Sequence, residues 1–349
     1  MSAQVVPFVR DTSRLPYPIA ITAQRLIDAL DSSSDVFRTV NRLKDCFEAT
    51  IKFLGAVLLA DYFRSPAATP ERNALLLERL VRPSLGDWRA VVVGDVSRWL
   101  IDAKVEGTVG CAVAALFFHP LAPRSAKPKP TQLMERCEQF VTYRNEAIGH
   151  GAMRTDAAYE RDLQDWLPML RELLNGVERL AGCRLKLVTS RASSSIWMGT
   201  ESGTTTEAGA FDENLDGHFV LCPATDGETA GQAQPVTDLF PFLCYLPDRE
   251  QQRRLHFYDS LRRYQETRKE VAILEYDTGF KCVSPEPISG LERLLTPELL
   301  AKAFKTHQGR MEIIEGPHIT DRLLTQINRQ FEQEKSGDIL QPLISKQLL

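Results

Sequence analysis

Through most of the first 180 residues, apolar positions recur every three or four residues. After that they crowd into short β-branched and aromatic runs. The first spacing is that of one buried helix face, the second that of half-buried strands. PYPIAITAQRLIDALD carries Ile19, Ile21, Leu26, Ile27 and Leu30 behind an opening proline. Ser32–Ser34 and Asp35 then offer an N-cap for DVFRTVNRLKDCFEATIKFLGAVLLADYFR. In that segment Val36, Val40, Leu43, Phe47, Ile51, Leu54, Leu58 and Tyr62 form one stripe, and its second half is apolar nearly all round. Such a helix belongs at the centre of a bundle or against a partner subunit.

Further helices follow. Thr69-Pro70-Glu71 opens one that runs to about Val81, and PSLGDWRAVVVGDVSRWLI restarts with Ser84 or Asp87 as its cap. GTVGCAVAALFFHPL stops at Pro120. The Pro/Lys-rich loop APRSAKPKP leads into TQLMERCEQFVTYRNEAIGHG, and AAYERDLQDWLPMLRELLNGVERLAG closes the helical part. Pro168 predicts a kink there, near Trp166–Leu167. Trp88, Trp99 and Trp166 fall on apolar faces and read as core, and His119 reads as a helix-end or partly buried histidine rather than a ligand.

Past Gly182, CRLKLVTSR, SSIWMGT, HFVLCPA, LFPFLCYLP, RLHFYDSLR and EVAILEYDTG alternate with Gly-, Asp- and Pro-bearing turns, as in antiparallel sheet. Pro241 makes LFPFLCYL an edge or bulged strand. EYDTGFK reads as a hairpin turn, and GTESGTTTEAGAFDENLDG as a mobile loop. SGLERLLTPELLAKAF and ITDRLLTQINRQFEQ return to helical spacing, and the tail KSGDILQPLISKQLL has apolar residues with no evident partner. The expected fold class is α+β. An all-α bundle spans 1–182, a mainly antiparallel β-rich domain spans 183–287, and a helical extension spans 288–349.

The formal net charge of −4 removes any global signal for nucleic-acid binding, so an RNA contact has to come from a local patch. No apolar run approaches the ~20 residues of a membrane helix. MSAQVVPFVRDTSRLPYP lacks the apolar core of a secretory signal. Seven cysteines, spread singly, argue against a disulfide framework and fit a reducing cytoplasm. His218, Cys222, Cys244 and His256 do not have the spacing of zinc ligand pairs, and no cofactor motif is present. GTESGTTTEAGA lacks the order of a phosphate loop, and SRASSSIWMG lacks the context of a nucleophile elbow.

The candidate chemistry is in YRNEAIGHGA, where Arg144 and Asn145 are followed by His150. On a continuous helix Arg144 and His150 lie about 120° apart and share no face. Gly149 and Gly151 mark a helix stop, and a break there lets the imidazole swing back. An arginine fork holds phosphate at two points, and a histidine moves protons near neutral pH. An asparagine orients the ring. The trio suits cleavage of RNA through its 2′-hydroxyl, which needs proton transfer and charge stabilisation rather than a metal. A plain helix C-terminus, with Arg and His complementing the dipole and glycine ending it, accounts for the same residue types.

This R-N-x4-H pattern in a helical bundle resembles the HEPN superfamily. The PYPIA, FLGAVLLADYF and SLGDW segments resemble HEPN-like regions at the front of large bacterial signalling or defence proteins. The likeness spans roughly residues 15–182. It implies a HEPN-like bundle with the motif at the end of a late helix. It further implies two protomers, as a dimer or higher homo-oligomer, that join their motifs into a metal-independent endoribonuclease of antiviral defence. Arg144 would hold the scissile phosphate, His150 would act as general acid or base, and Asn145 would position it. Some family members are inactive. The alternative expectation is therefore a non-catalytic dimerisation or sensor module that docks a partner defence protein, with its interface around Leu54–Leu59.

Glu138 and Glu146 are acidic neighbours of the motif and read as solvated helix residues. The most basic stretch, DREQQRRLHFYDSLRRYQETRKE, mixes arginines with His256, Phe257, Tyr258 and Tyr264. That mixture could stack single-stranded RNA. Asp248, Glu250, Asp259 and Glu266 dilute the charge. The favoured reading is a strand–turn–strand burying Leu255, Phe257, Leu261 and Tyr264, with arginines outward.

Overall fold

The computed structural model describes residues 11–32, 35–80, 83–121, 127–148, 154–180, 182–201, 203–223, 236–240, 242–247, 253–266, 269–277 and 286–287. The fold is α+β, with helices first and antiparallel strands after them. The expected helical extension over 288–349, the EYDTGFK turn and the apolar tail lie outside the described residues. The chain forms two compact units, Met1–Ala67 with Trp88–Leu243, and Ala68–Asp87 with Cys244–Leu349.

In the first unit, α1 (Tyr17–Asp31) has Pro18 in its first turn, where a missing N–H costs nothing. Helix α2 (Val36–Arg64) starts at Asp35, whose carboxylate accepts the Phe37 N–H at 3.0 Å. Its predicted stripe is buried from Val40 to Tyr62, and from Thr50 onward every residue to Tyr62 is buried. It contacts α1, a π-helical stretch (Trp88–Val96), α6 (Val109–Phe117) and α8 (Asp156–Arg179). Leu54 and Ala56–Leu59 are at most 1% exposed within the single chain. Of the two places expected for this helix, the chain itself shows the bundle centre: these side chains lie in the unit's own core. Gly55 lets the Trp88 ring seat on α2, since a Cβ there would stand 2.7 Å from Trp88 Cε3.

The PSLGDW segment divides differently from a simple helix. The short α4 (Leu85–Asp87) belongs to the second unit. Both proposed caps act together, because Ser84 Oγ accepts the Asp87 N–H and the Asp87 carboxylate accepts the Ser84 N–H. Helix α5 (Ser97–Asp102) follows the π-helical stretch. Helix α6 begins at Thr108, which caps the Cys111 N–H. Trp88 is buried, but Trp99 and Trp166 are only half-buried, and His119 is an exposed residue just past the end of α6, the helix-end place of the two expected. Helix α8 runs as one element through Pro168, and Arg136 donates to the Asp165 carbonyl one turn earlier, at 3.1 Å.

Strands β1 (Cys183–Ser190), β2 (Ser193–Ile196), β3 (Thr206–Ala208), β4 (Phe219–Pro223) and β5 (Thr237–Asp238) form an antiparallel sheet in the order β3-β2-β1-β4-β5. One face carries Leu185, Leu187, Phe219 and Leu221, all buried. Leu221 and Cys183 share a small cavity with Phe53, Val57, Val109 and Val177, so this face packs on the helices. Trp197, at the end of β2, stacks edge-on against Tyr17 and Phe219 and accepts the Tyr17 N–H on its carbonyl. The opposite face has its own small core of Val188, Val220 and Cys222. The expected mobile loop GTESGTTTEAGAFDENLDG is in part structured. Thr206–Ala208 pairs with Ser193–Ser195, and Glu213–Leu215 is a 3-10 turn.

In the second unit, α3 (Pro70–Leu80) starts at the proline as predicted. Strands β6 (Leu243–Pro247), β7 (Arg253–Glu266), β8 (Lys269–Asp277) and β9 (Glu286–Pro287) form a sheet in that order, with β6 at an edge. Within the basic stretch, Arg253–Glu266 is one long strand, bulged between Tyr258 and Ser260, and it pairs antiparallel with β8, whose first residues Lys269 and Glu270 end the stretch. Leu255 and Phe257 are buried as expected, but so are His256 and Tyr258 on the other face. Arg253 and Arg254 are exposed. The Tyr258 hydroxyl donates to the Leu80 carbonyl, tying β7 to the end of α3.

Candidate functional site

The motif's first two residues stand at the end of α7 (Gln132–Tyr143). Thr131 caps this helix by accepting the Met134 N–H at 3.3 Å, and Leu133, Met134, Cys137, Phe140 and Val141 bury its inner face. At Arg144 the α-helix gives way to a π-helical turn, Arg144–Ile148. Such single turns are uncommon and concentrate at functional positions. The Arg144 guanidinium donates to Asn145 Oδ1 at 3.1 Å, with Arg144 half-buried and Asn145 exposed. The two polar groups are thus joined to each other at the helix end. His150 lies outside the described residues. Glu146 is exposed, and Glu138 is exposed while pairing with Arg89 at 3.1 Å.

Behind the motif lies a cluster that the sequence reading missed. The Tyr143 hydroxyl donates to Asp162 Oδ2 at 2.9 Å, and the same carboxylate oxygen pairs with Arg154. The Arg154 guanidinium also lies over the Tyr143 and Tyr159 rings, 5.9 and 5.7 Å from their centroids. Burial, reinforced by the hydrogen bond to Asp162 and its charge, pushes the Tyr143 phenol above its ordinary range. The hydroxyl is held as a donor. Tyr143 comes just before Arg144, and Arg154 comes four residues after His150. One buried carboxylate on α8 therefore grips the chain on both sides of the motif. The signal available in the sequence was Asp162 itself, a carboxylate three residues after Tyr159 on the buried face of α8.

An aromatic group fixes this end of α7. Phe140 packs against Phe47 at 4.5 Å and against Trp166 at 5.3 Å, and Tyr143 also meets Trp166 at 5.3 Å. Phe37, 43% exposed, leans on Tyr159 at 5.2 Å.

Among the described residues, no group of three His, Cys, Asp or Glu side chains is arranged to hold a metal ion. No described helix is long and apolar enough to cross a membrane. The six described cysteines are all free thiols, and burial pushes Cys46 and Cys137 up to about 12. No known protein family, curated protein or solved structure matches this chain.

Proposed function

We propose that this protein is a HEPN-like endoribonuclease of cytoplasmic antiviral defence, with its site completed across a dimer. The observation that carries the reading is the R-N-x4-H motif at the end of a bundle helix. There Arg144 and Asn145 lead a π-helical turn that Tyr143 and Asp162 brace from behind. In the proposed reaction the RNA 2′-hydroxyl attacks the adjacent phosphorus and gives up its proton, and the bond to the 5′-oxygen breaks. The 5′-oxygen leaves with a proton, and a 2′,3′-cyclic phosphate remains. His150 serves one of the two proton transfers, and Arg144 faces the charge on the phosphate oxygens. Asn145 positions His150 by hydrogen bonding.

The test is RNA cleavage by the purified chain in the presence of a divalent-metal chelator. Wild type should cut, and Arg144→Ala or His150→Ala should lower the rate by about 100-fold or more, with circular dichroism and melting temperature unchanged. Absence of cleavage by wild type, or equal cleavage by the variants, overturns the proposal in favour of a non-catalytic interaction module. Sedimentation of the wild type reports whether the dimer forms.

A further inference from the structure

A second polar constellation lies on the first sheet. His218 precedes β4 and Asp238 ends β5, and the Val220↔Asp238 register brings them to one place. His218 Nδ1 lies 3.3 Å from both carboxylate oxygens of Asp238. Arg64, the last residue of α2, reaches the same carboxylate at 3.3 Å, and the Phe240 N–H donates to it at 3.0 Å. The Phe240 ring stacks on the imidazole, with centroids 4.4 Å apart and planes 11° from parallel. The backbone of His218 is pinned as well, its N–H to the Leu215 carbonyl and its carbonyl to the Val188 N–H.

Each of these contacts restrains the imidazole. A carboxylate at Nδ1 sets which nitrogen carries the proton there and aims Nε2 the other way. Among the described residues Nε2 has no hydrogen-bond partner. The His218 side chain is 23% exposed and that of Arg64 48%. The guanidinium has five N–H donors, so its contact with Asp238 leaves others for a ligand. With the imidazole protonated, two cations share a single carboxylate and one positive charge is left over. In that form Nε2–H is a fixed donor beside a planar fork, the usual chemistry for an oxyanion.

We propose that His218 and Arg64, organised by Asp238, form a binding site for the phosphate group of a small molecule. The site uses none of the residues of the R-N-x4-H motif and stands or falls independently of the nuclease reading. The test follows the imidazole resonances by ¹H–¹⁵N NMR at about pH 6, with His218→Gln used for assignment. Inorganic phosphate and, separately, a nucleoside 5′-monophosphate (AMP) are titrated in. A saturable shift at His218 is expected with either, with affinity at least ten-fold weaker in Arg64→Gln. Tighter binding of AMP assigns the site to a nucleotide, and equal binding assigns it to the phosphate group alone. The proposal is overturned if no saturable shift occurs. It is equally overturned if the exposed His119 shifts in parallel, or if Arg64→Gln binds undiminished.

Discussion

Asp61 is a single carboxylate in the fully buried half of α2, and its position is explained by one contact. It accepts the N–H of Gly110 in the first turn of α6, where helical backbone donors have no partner of their own. Thr237 donates to its other oxygen at 3.3 Å. The match requires glycine at 110, since a Cβ there would lie 2.7 Å from Asp61 Oδ2 and 2.9 Å from Asp61 Cβ. Gly110→Ala should cost about 1–3 kcal/mol by overpacking. Asp61→Ala should cost a similar ~1–3 kcal/mol by leaving buried donors unpaired. Urea denaturation measures both, and a change within error for either would refute this account.

Glu207 makes a residue-scale prediction in pH. Lys186 and then Arg184, both on β1, hold its carboxyl below the ordinary value of 4.5. A depressed folded value means the unfolded chain takes up the proton first. The stabilisation is therefore complete above 4.5 and is lost as pH falls through the lower folded value. Glu207→Gln should be less stable than wild type at neutral pH and should lose less stability on acidification. Thermal melts across that range show the two curves converging if the pair matters.

At the scale of elements, α7 and α8 are joined at one end by Asp162. Because Tyr143 and Arg154 share its oxygen, the three groups act as a unit. Asp162→Ala should destabilise by about 1–3 kcal/mol, and Tyr143→Phe by about 0.5–1.5 kcal/mol. The double variant should cost less than the sum, because the hydroxyl's partner is already gone. Additive costs in denaturant titrations would separate the two residues.

Most helices were legible because each carried its own punctuation. Asp35, Thr69-Pro70 and Ser84 mark starts at or next to the observed ones. The π-helical turn at Arg144 was not legible. The residues that hold the helix end before it, Phe47, Trp166 and Asp162, come from distant parts of the chain. The pairing of Thr206–Ala208 was hidden for a similar reason. A three-residue strand gains its stability from its neighbour β2, not from its own pattern.

At the scale of the molecule, the two candidate uses of the apolar half of α2 make opposite predictions. Buried inside one chain, Leu54→Asp or Leu58→Asp places an unpaired carboxylate in the core. The several kcal/mol this costs are comparable with the whole stability of a domain, roughly 5–15 kcal/mol. Far-UV circular dichroism should then show loss of helix at every protein concentration. A folded, soluble monomer would instead indicate that the face serves assembly.

The sequence by itself determined where helix gives way to strand, because periodicity and capping are local and repeat within a few residues. It also displayed the R-N-x4-H string, which is contiguous. Only the tertiary structure decided that Leu54–Leu59 face inward, that Asp61 serves α6, that Asp162 grips both flanks of the motif, and that His218 and Arg64 share one carboxylate. Those relations join residues 8 to 176 positions apart. They depend on which elements pack against which, and no local pattern in the chain encodes that choice.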